Sequence, residues 1–150
     1  MAIANIGELL DHTTRFEAHL SDYYAAICER TPDNDVKLFT YYLSRHRRDL
    51  AAVLNAVTAR DLARVRRIGL PALAYRPEDA FGPLNADPAA VTGRALAQAV
   101  VGYHRELTAL YRTILKLPVD SRARALLERL VRLEERSIRV PETMLTSDYF

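Results

Sequence analysis

Glu17-Ala-His-Leu-Ser-Asp-Tyr-Tyr-Ala-Ala-Ile27 and His104-Arg-Glu-Leu-Thr-Ala-Leu-Tyr-Arg-Thr-Ile114 decide the reading of this chain. Leu20, Tyr24 and Ile27 of the first match Leu107, Tyr111 and Ile114 of the second. Steps of three and four put such residues on one face of a helix. Each segment runs into a break of the same kind, Thr31-Pro32-Asp33-Asn34 in one and Pro118-Val119-Asp120-Ser121 in the other. Proline disfavours a helical residue before it, and Asp or Asn just after it can cap a new helix. The repeat therefore describes two helical hairpins.

Working outward, the first stripe starts at Ile3 and runs through Ile6, Leu10, Thr13 and Glu17 to Ile27, which predicts a helix over 3–30. A second stripe, Val36, Phe39, Leu43, His46, Leu50, Val53 and Val57, predicts a helix over 35–64. The pattern then fails from about residue 68 to 88, where Gly69, Pro71, Pro77, Gly82, Pro83 and Pro88 interrupt it. That stretch reads as an irregular crossover, long enough to leave helices two and three parallel and pinned by Leu70, Leu73, Tyr75 and Phe81. Asp87-Pro88 reads as the start of a third helix, over 87–117. A fourth follows over 121–139, ended or kinked by Pro141, with a partly ordered tail over 141–150. The expectation is one all-α domain over 1–150, a four-helix bundle of two hairpins joined by a long crossover.

Composition agrees. A chain of 150 residues that is 49% hydrophobic and 27% charged suits one folded domain rather than disorder. The net charge of +2 carries no pull toward nucleic acid. Arg45, Arg47 and Arg48, and then Arg60, Arg64, Arg66 and Arg67, read as solvated helix faces. No run approaches the roughly 20 apolar residues of a membrane span. The single cysteine, Cys28, excludes an internal disulfide, and the first residues lack a secretory pattern, which together point to the cytoplasm. The tyrosines read as core first and as a homodimer surface second. Neither a Gly-rich phosphate loop nor a nucleophile elbow is present.

The unusual feature lies on the apolar stripes. Glu17, His46, His104 and Glu134 each occupy or adjoin the stripe of a different helix, and Asp49 lies one turn after His46 on the same face. Buried charges are costly unless they are paired or bind a metal. As nitrogen and oxygen ligands these five suit iron, manganese or zinc. Three carboxylates balance one dication better than two. The alternative is a proton-balanced network with no metal, and the residues leave both open. His12 and His19 are weaker candidates, and four histidines at these spacings do not make a His-rich binuclear site.

The two hairpins and crossover resemble the ferritin-like superfamily, with the first hairpin, from Phe16-Glu17 through Asp33 and from Leu38-Phe39 through Leu50, closest to rubrerythrin-type members. The resemblance covers about two-thirds of the chain. That family places a Glu on helices one and three and a Glu-x-x-His on helices two and four, all facing two metals. By register Glu17 falls on the first Glu, His46 and Asp49 on the second motif, His104 on the third Glu, and Glu134 and Ser137 on the fourth motif. The resemblance thus implies a divergent ferritin-like protein with a remodelled interior site for one metal ion or none. The chain lacks a Cys-x-x-Cys electron-transfer module, so rubrerythrin-like peroxidase chemistry would need an outside donor. The competing expectation is a metal-free helical interaction or dimerisation module.

Overall fold

In the computed structural model, which describes residues 2–147 and 149–150, the chain is mainly helical with one small sheet. The order is β1 (Ala2–Asn5), α1 (Ile6–Arg30), α2 (Asn34–Leu43), α3 (Arg45–Asn55), α4 (Ala59–Arg66), β2 (Gly69–Ala74), α5 (Gly93–Leu115) and α6 (Ser121–Thr146). Short 3-10 turns lie at Pro77–Phe81 and Pro88–Ala90.

The first expected helix starts three residues late. Ala2–Asn5 is a strand, paired antiparallel with β2 through Ala2 with Ala74 and Ile3 with Leu73. Ile3 is buried either way, so its place on a helical stripe did not distinguish the two. The switch to helix occurs at Asn5, whose side chain accepts from the Glu8 backbone N–H at 2.8 Å, while Glu8 Oε2 accepts from Ala4 N–H at 2.8 Å. This reciprocal satisfaction of free donors is the logic of a capping box.

The second expected helix is three helices. Ser44 separates α2 from α3 while keeping helical angles (φ −64°, ψ −16°), and its hydroxyl donates to the Thr40 carbonyl at 2.8 Å. A serine hydroxyl that bonds back four residues competes with the helical ladder and bends it. Thr58 then caps the separate α4 by accepting from Asp61 N–H. The crossover is not wholly irregular, since it contains β2 and both 3-10 turns. Tyr75 is buried, and Leu70, Leu73 and Phe81 pack half-buried on the core.

The third helix begins at Gly93, not Asp87. Asp87 accepts from Ala89 N–H and starts only a 3-10 turn, whereas Thr92 accepts from Ala95 N–H and caps α5. The fourth runs past Pro141 to Thr146. Pro141 removes one N–H from the ladder, but it is buried and the helix continues. The tail is packed: Phe150 lies 5.4 Å from Phe39 between ring centroids, and Tyr149 donates to Asp35 at 3.3 Å.

Helix α5 packs along α6, α1 on α2 and α3, α3 on α6, and α2 on α5. Their shared core includes Ile27, Phe39, Leu96, Leu107, Ile114, Leu127 and Leu130, all almost fully buried. Each such side chain contributes about 1.5–3 kcal/mol by leaving water, enough to hold ionisable groups that elsewhere would pull a helix to the surface. Among the described residues no helix is long and apolar enough to cross a membrane.

Candidate metal centre

Four helices bring ionisable side chains into that core. Glu17 comes from the middle of α1, His46 from the first turn of α3, His104 from the middle of α5 and Glu134 from the middle of α6. Their exposures are 3%, 6%, 4% and 0%. They meet. His46 Nε2 donates to Glu134 Oε1 at 3.1 Å, and His104 Nδ1 lies 2.5 Å from Glu134 Oε2. His46 Nδ1 is 2.8 Å from Glu17 Oε1, close enough for an ion pair but without the angle of a hydrogen bond. The two imidazole rings sit 4.6 Å apart between centroids. Glu134 is thus a hub with a histidine on each oxygen, and His46 is a bridge with a carboxylate at each nitrogen.

Asp49 stands elsewhere. It is exposed at the outer edge of a cavity of about 150 Å³ whose inner wall includes Glu17, His46 and His104, with Arg45 exposed beside it. Ser137 lines the same cavity, but its hydroxyl donates to the Leu133 carbonyl. Its spacing three residues after His46 predicts an inward face, but the buried stripe of α3 runs through His46, Leu50 and Val53 and leaves Asp49 outside. His12 is half-buried against Tyr75, and His19 is exposed.

Sequence reasoning did not assign a role to Tyr103. Its hydroxyl donates to Glu17 Oε1 at 2.7 Å, the same oxygen that faces His46. Its position next to His104 on the α5 stripe was the available signal. Burial above all, then the Glu17 charge, keeps the Tyr103 phenol far above its ordinary range, so it remains a donor.

The electrostatics follow from the contacts. Burial works against a charged His46, but the Glu134 and Glu17 carboxylates outweigh it and hold the imidazole well above its ordinary value. Burial works against a charged Glu134 too, and the His46 and His104 charges outweigh it, so the carboxyl is held down at about 2. The metal-free cluster is therefore ionised inside the core, with a proton between carboxylates.

His46, His104 and Glu134 can each offer one ligand atom, all within 4.8 Å of one another. Two imidazoles and a carboxylate match a donor set for zinc, iron or manganese, whose bonds to nitrogen and oxygen are near 2.0–2.2 Å. The buried His46 Nδ1, lacking a straight hydrogen bond, is the one atom of the cluster that the metal-free arrangement leaves poorly served. No protein-family model, curated protein or solved structure matches the chain.

Proposed function

We propose that this chain is a divergent ferritin-like protein, a four-helix bundle of two hairpins joined by the crossover, whose interior takes a single divalent transition-metal ion: iron, manganese or zinc. The observation that carries the reading is the meeting of His46, His104 and Glu134, all buried, from three helices. Glu17 stands behind His46, held by Tyr103, where a carboxylate orients a ligating imidazole and fixes which nitrogen carries the proton.

Charge selects one ion rather than two. With Asp49 at the rim, the buried carboxylates among the described residues are Glu17 and Glu134. One dication and two neutral imidazoles bring the interior to zero; two dications leave an uncompensated +2, which a core does not tolerate. The ion would supply Lewis acidity or, if iron or manganese, redox chemistry. The chain's own groups position it and keep water to the cavity side. Cys28 as a free thiol suits a cytoplasmic protein.

The second reading, a metal-free helical interaction or homodimerisation module, rests on Leu38 and Tyr41. They lie three residues apart on α2 and are 63% and 66% exposed. Metal analysis of protein purified without chelator separates the two readings. The first expects one ion per chain, lost in His104→Ala. Protein that is metal-free as purified and shows no calorimetric binding of Zn²⁺, Mn²⁺ or Fe²⁺ would leave the second standing.

A further inference from the structure

The net charge of +2 is the difference between two unlike parts of the molecule. Residues 45–67 and 121–139, which hold α3, α4 and most of α6, carry 13 arginines, no lysine and five carboxylates, a net +8. The rest of the chain has eight basic and fourteen acidic residues, a net −6. Packing joins the basic stretches. Helices α3 and α4 both lie against α6 and run antiparallel to it, because His46 meets Glu134 at one level and Asp61 meets Arg122, at 3.1 Å, at another. Steps of three and four put Arg129, Arg132, Arg136 and Arg139 on one side of α6, opposite the buried Leu127, Leu130 and Glu134. Arg47 and Arg48 of α3 and Arg60 and Arg64 of α4 are exposed as well. The carboxylates of these stretches do not neutralise them. Glu134 is engaged by the histidines, Glu135 by Arg112 of α5 and Asp61 by Arg122. Among the described residues Arg47, Arg48, Arg132, Arg136 and Arg139 have no ion pair.

We propose that the face formed by α3, α4 and α6 binds double-stranded nucleic acid through its phosphate backbone, without reading sequence. Arginine presents a planar fork of donors that meets phosphate oxygens in pairs. From Arg122 to Arg139 the helix spans about 26 Å at 1.5 Å per residue, a length over which a duplex offers about 15 phosphates. The α6 row ends beside Val140; the other large apolar side chains that are exposed, Leu38, Tyr41 and Tyr149, belong to α2 and the tail. The face therefore lacks the aromatics that stack single-stranded bases, the apolar residues that enter a bilayer and the aromatic centre of a protein interface. The surface is independent of the metal reading, because none of these arginines is in the ligand set.

Fluorescence anisotropy of the full chain with a short labelled DNA duplex tests this. Contact with about five phosphates gives a slope of log K against log [NaCl] of about −4.5, roughly a 500-fold loss of affinity between 50 and 200 mM. Duplexes of two unrelated sequences should bind equally, and an RNA duplex of the same sequence shows which backbone is preferred; a preference for either satisfies the proposal. Arg132→Gln/Arg136→Gln/Arg139→Gln should weaken binding and flatten the slope by about 3. Arg15→Gln/Arg30→Gln, on α1, should leave both unchanged. All five side chains are exposed, so circular dichroism should show the same fold throughout. Absence of duplex binding at 50 mM NaCl, or a triple variant that binds as wild type does, overturns the proposal. So does tighter binding of single strands, polyglutamate or phosphatidylglycerol vesicles, which would assign the face to that partner. Salt-sensitive self-association that the triple variant loses, without duplex binding, would make the acidic remainder of a second copy the occupant instead.

Discussion

Glu134→Gln changes one charge at the hub and little else, because glutamine matches a protonated carboxyl in shape. Burial favours that neutral form, yet His46 and His104 hold Glu134 at about 2 against an ordinary 4.5. The difference, 4.5 − 2 = 2.5, at about 1.4 kcal/mol for each pH unit, is about 3 kcal/mol by which the folded protein prefers the carboxylate. The raised His46 is the other side of the same interaction and adds nothing further. In chelator-treated protein at pH 7 the variant should be about 3 kcal/mol less stable, with a Tm about 6–12 °C lower. The pH dependence has a definite sign. A depressed carboxyl stabilises the fold fully above its unfolded value near 4.5 and loses that contribution as pH falls toward about 2. The gap between wild type and variant should therefore shrink to about 1–1.5 kcal/mol at pH 3. Urea denaturation followed by circular dichroism at pH 7, 5 and 3 measures it. Equal stability at pH 7, or a gap that does not change at pH 3, refutes the reasoning.

Three other outcomes are expected. His46→Leu should lower metal content and also destabilise the chelated protein by about 3 kcal/mol, because Glu17 and Glu134 lose their shared cation; metal content equal to wild type removes His46 from the site. Arg66→Ala breaks a two-pronged pair with Asp11, at 2.9 and 2.8 Å, but both side chains are more than a third exposed, so the loss should stay under about 1 kcal/mol in urea melts. A Cβ on Gly93 would lie 2.0 to 2.7 Å from carbons of the Phe150 ring. Gly93→Ala should therefore cost about 1–3 kcal/mol, and in the Phe150→Ala background the same change should cost almost nothing.

The parts of the fold that were legible are those where one periodicity had no rival. The α5 and α6 stripes, the break after Arg30, a second break two residues earlier than expected, after Leu115 rather than Leu117, and the placement of Glu17, His46, His104 and Glu134 in the core all rest on three-four spacing over long runs. What failed depended on distant pairing or on a choice between caps. Ile3 suits a helix or a strand, and only the partner strand at Gly69–Ala74 decides. Asn5 and Glu8 form a capping pair that the apolar stripe runs straight across, so spacing alone does not mark the helix start there. Asp87-Pro88 and Thr92 both look like helix starts; the second prevails because continuous apolar spacing begins only after it. Asp49 shows the limit at the site: spacing puts it beside His46, but whether a residue at the edge of a stripe is inside depends on the width of the neighbouring helices.

The proton and the proposed ion compete for the same place. The carboxylates that hold a proton on His46 would attract a dication about twice as strongly, since Coulomb energy scales with charge. A bound ion must take a neutral imidazole, so uptake releases the His46 proton and strengthens as pH rises. Glu17 faces His46 Nδ1, and Tyr103 keeps Glu17 in place because burial and the carboxylate charge hold its phenol protonated. With an ion bound, Glu134 would serve as a ligand beside the two imidazoles, and its oxygens already lie against both rings. In the metal-free cluster protons carry the charge balance between side chains from α1, α3, α5 and α6.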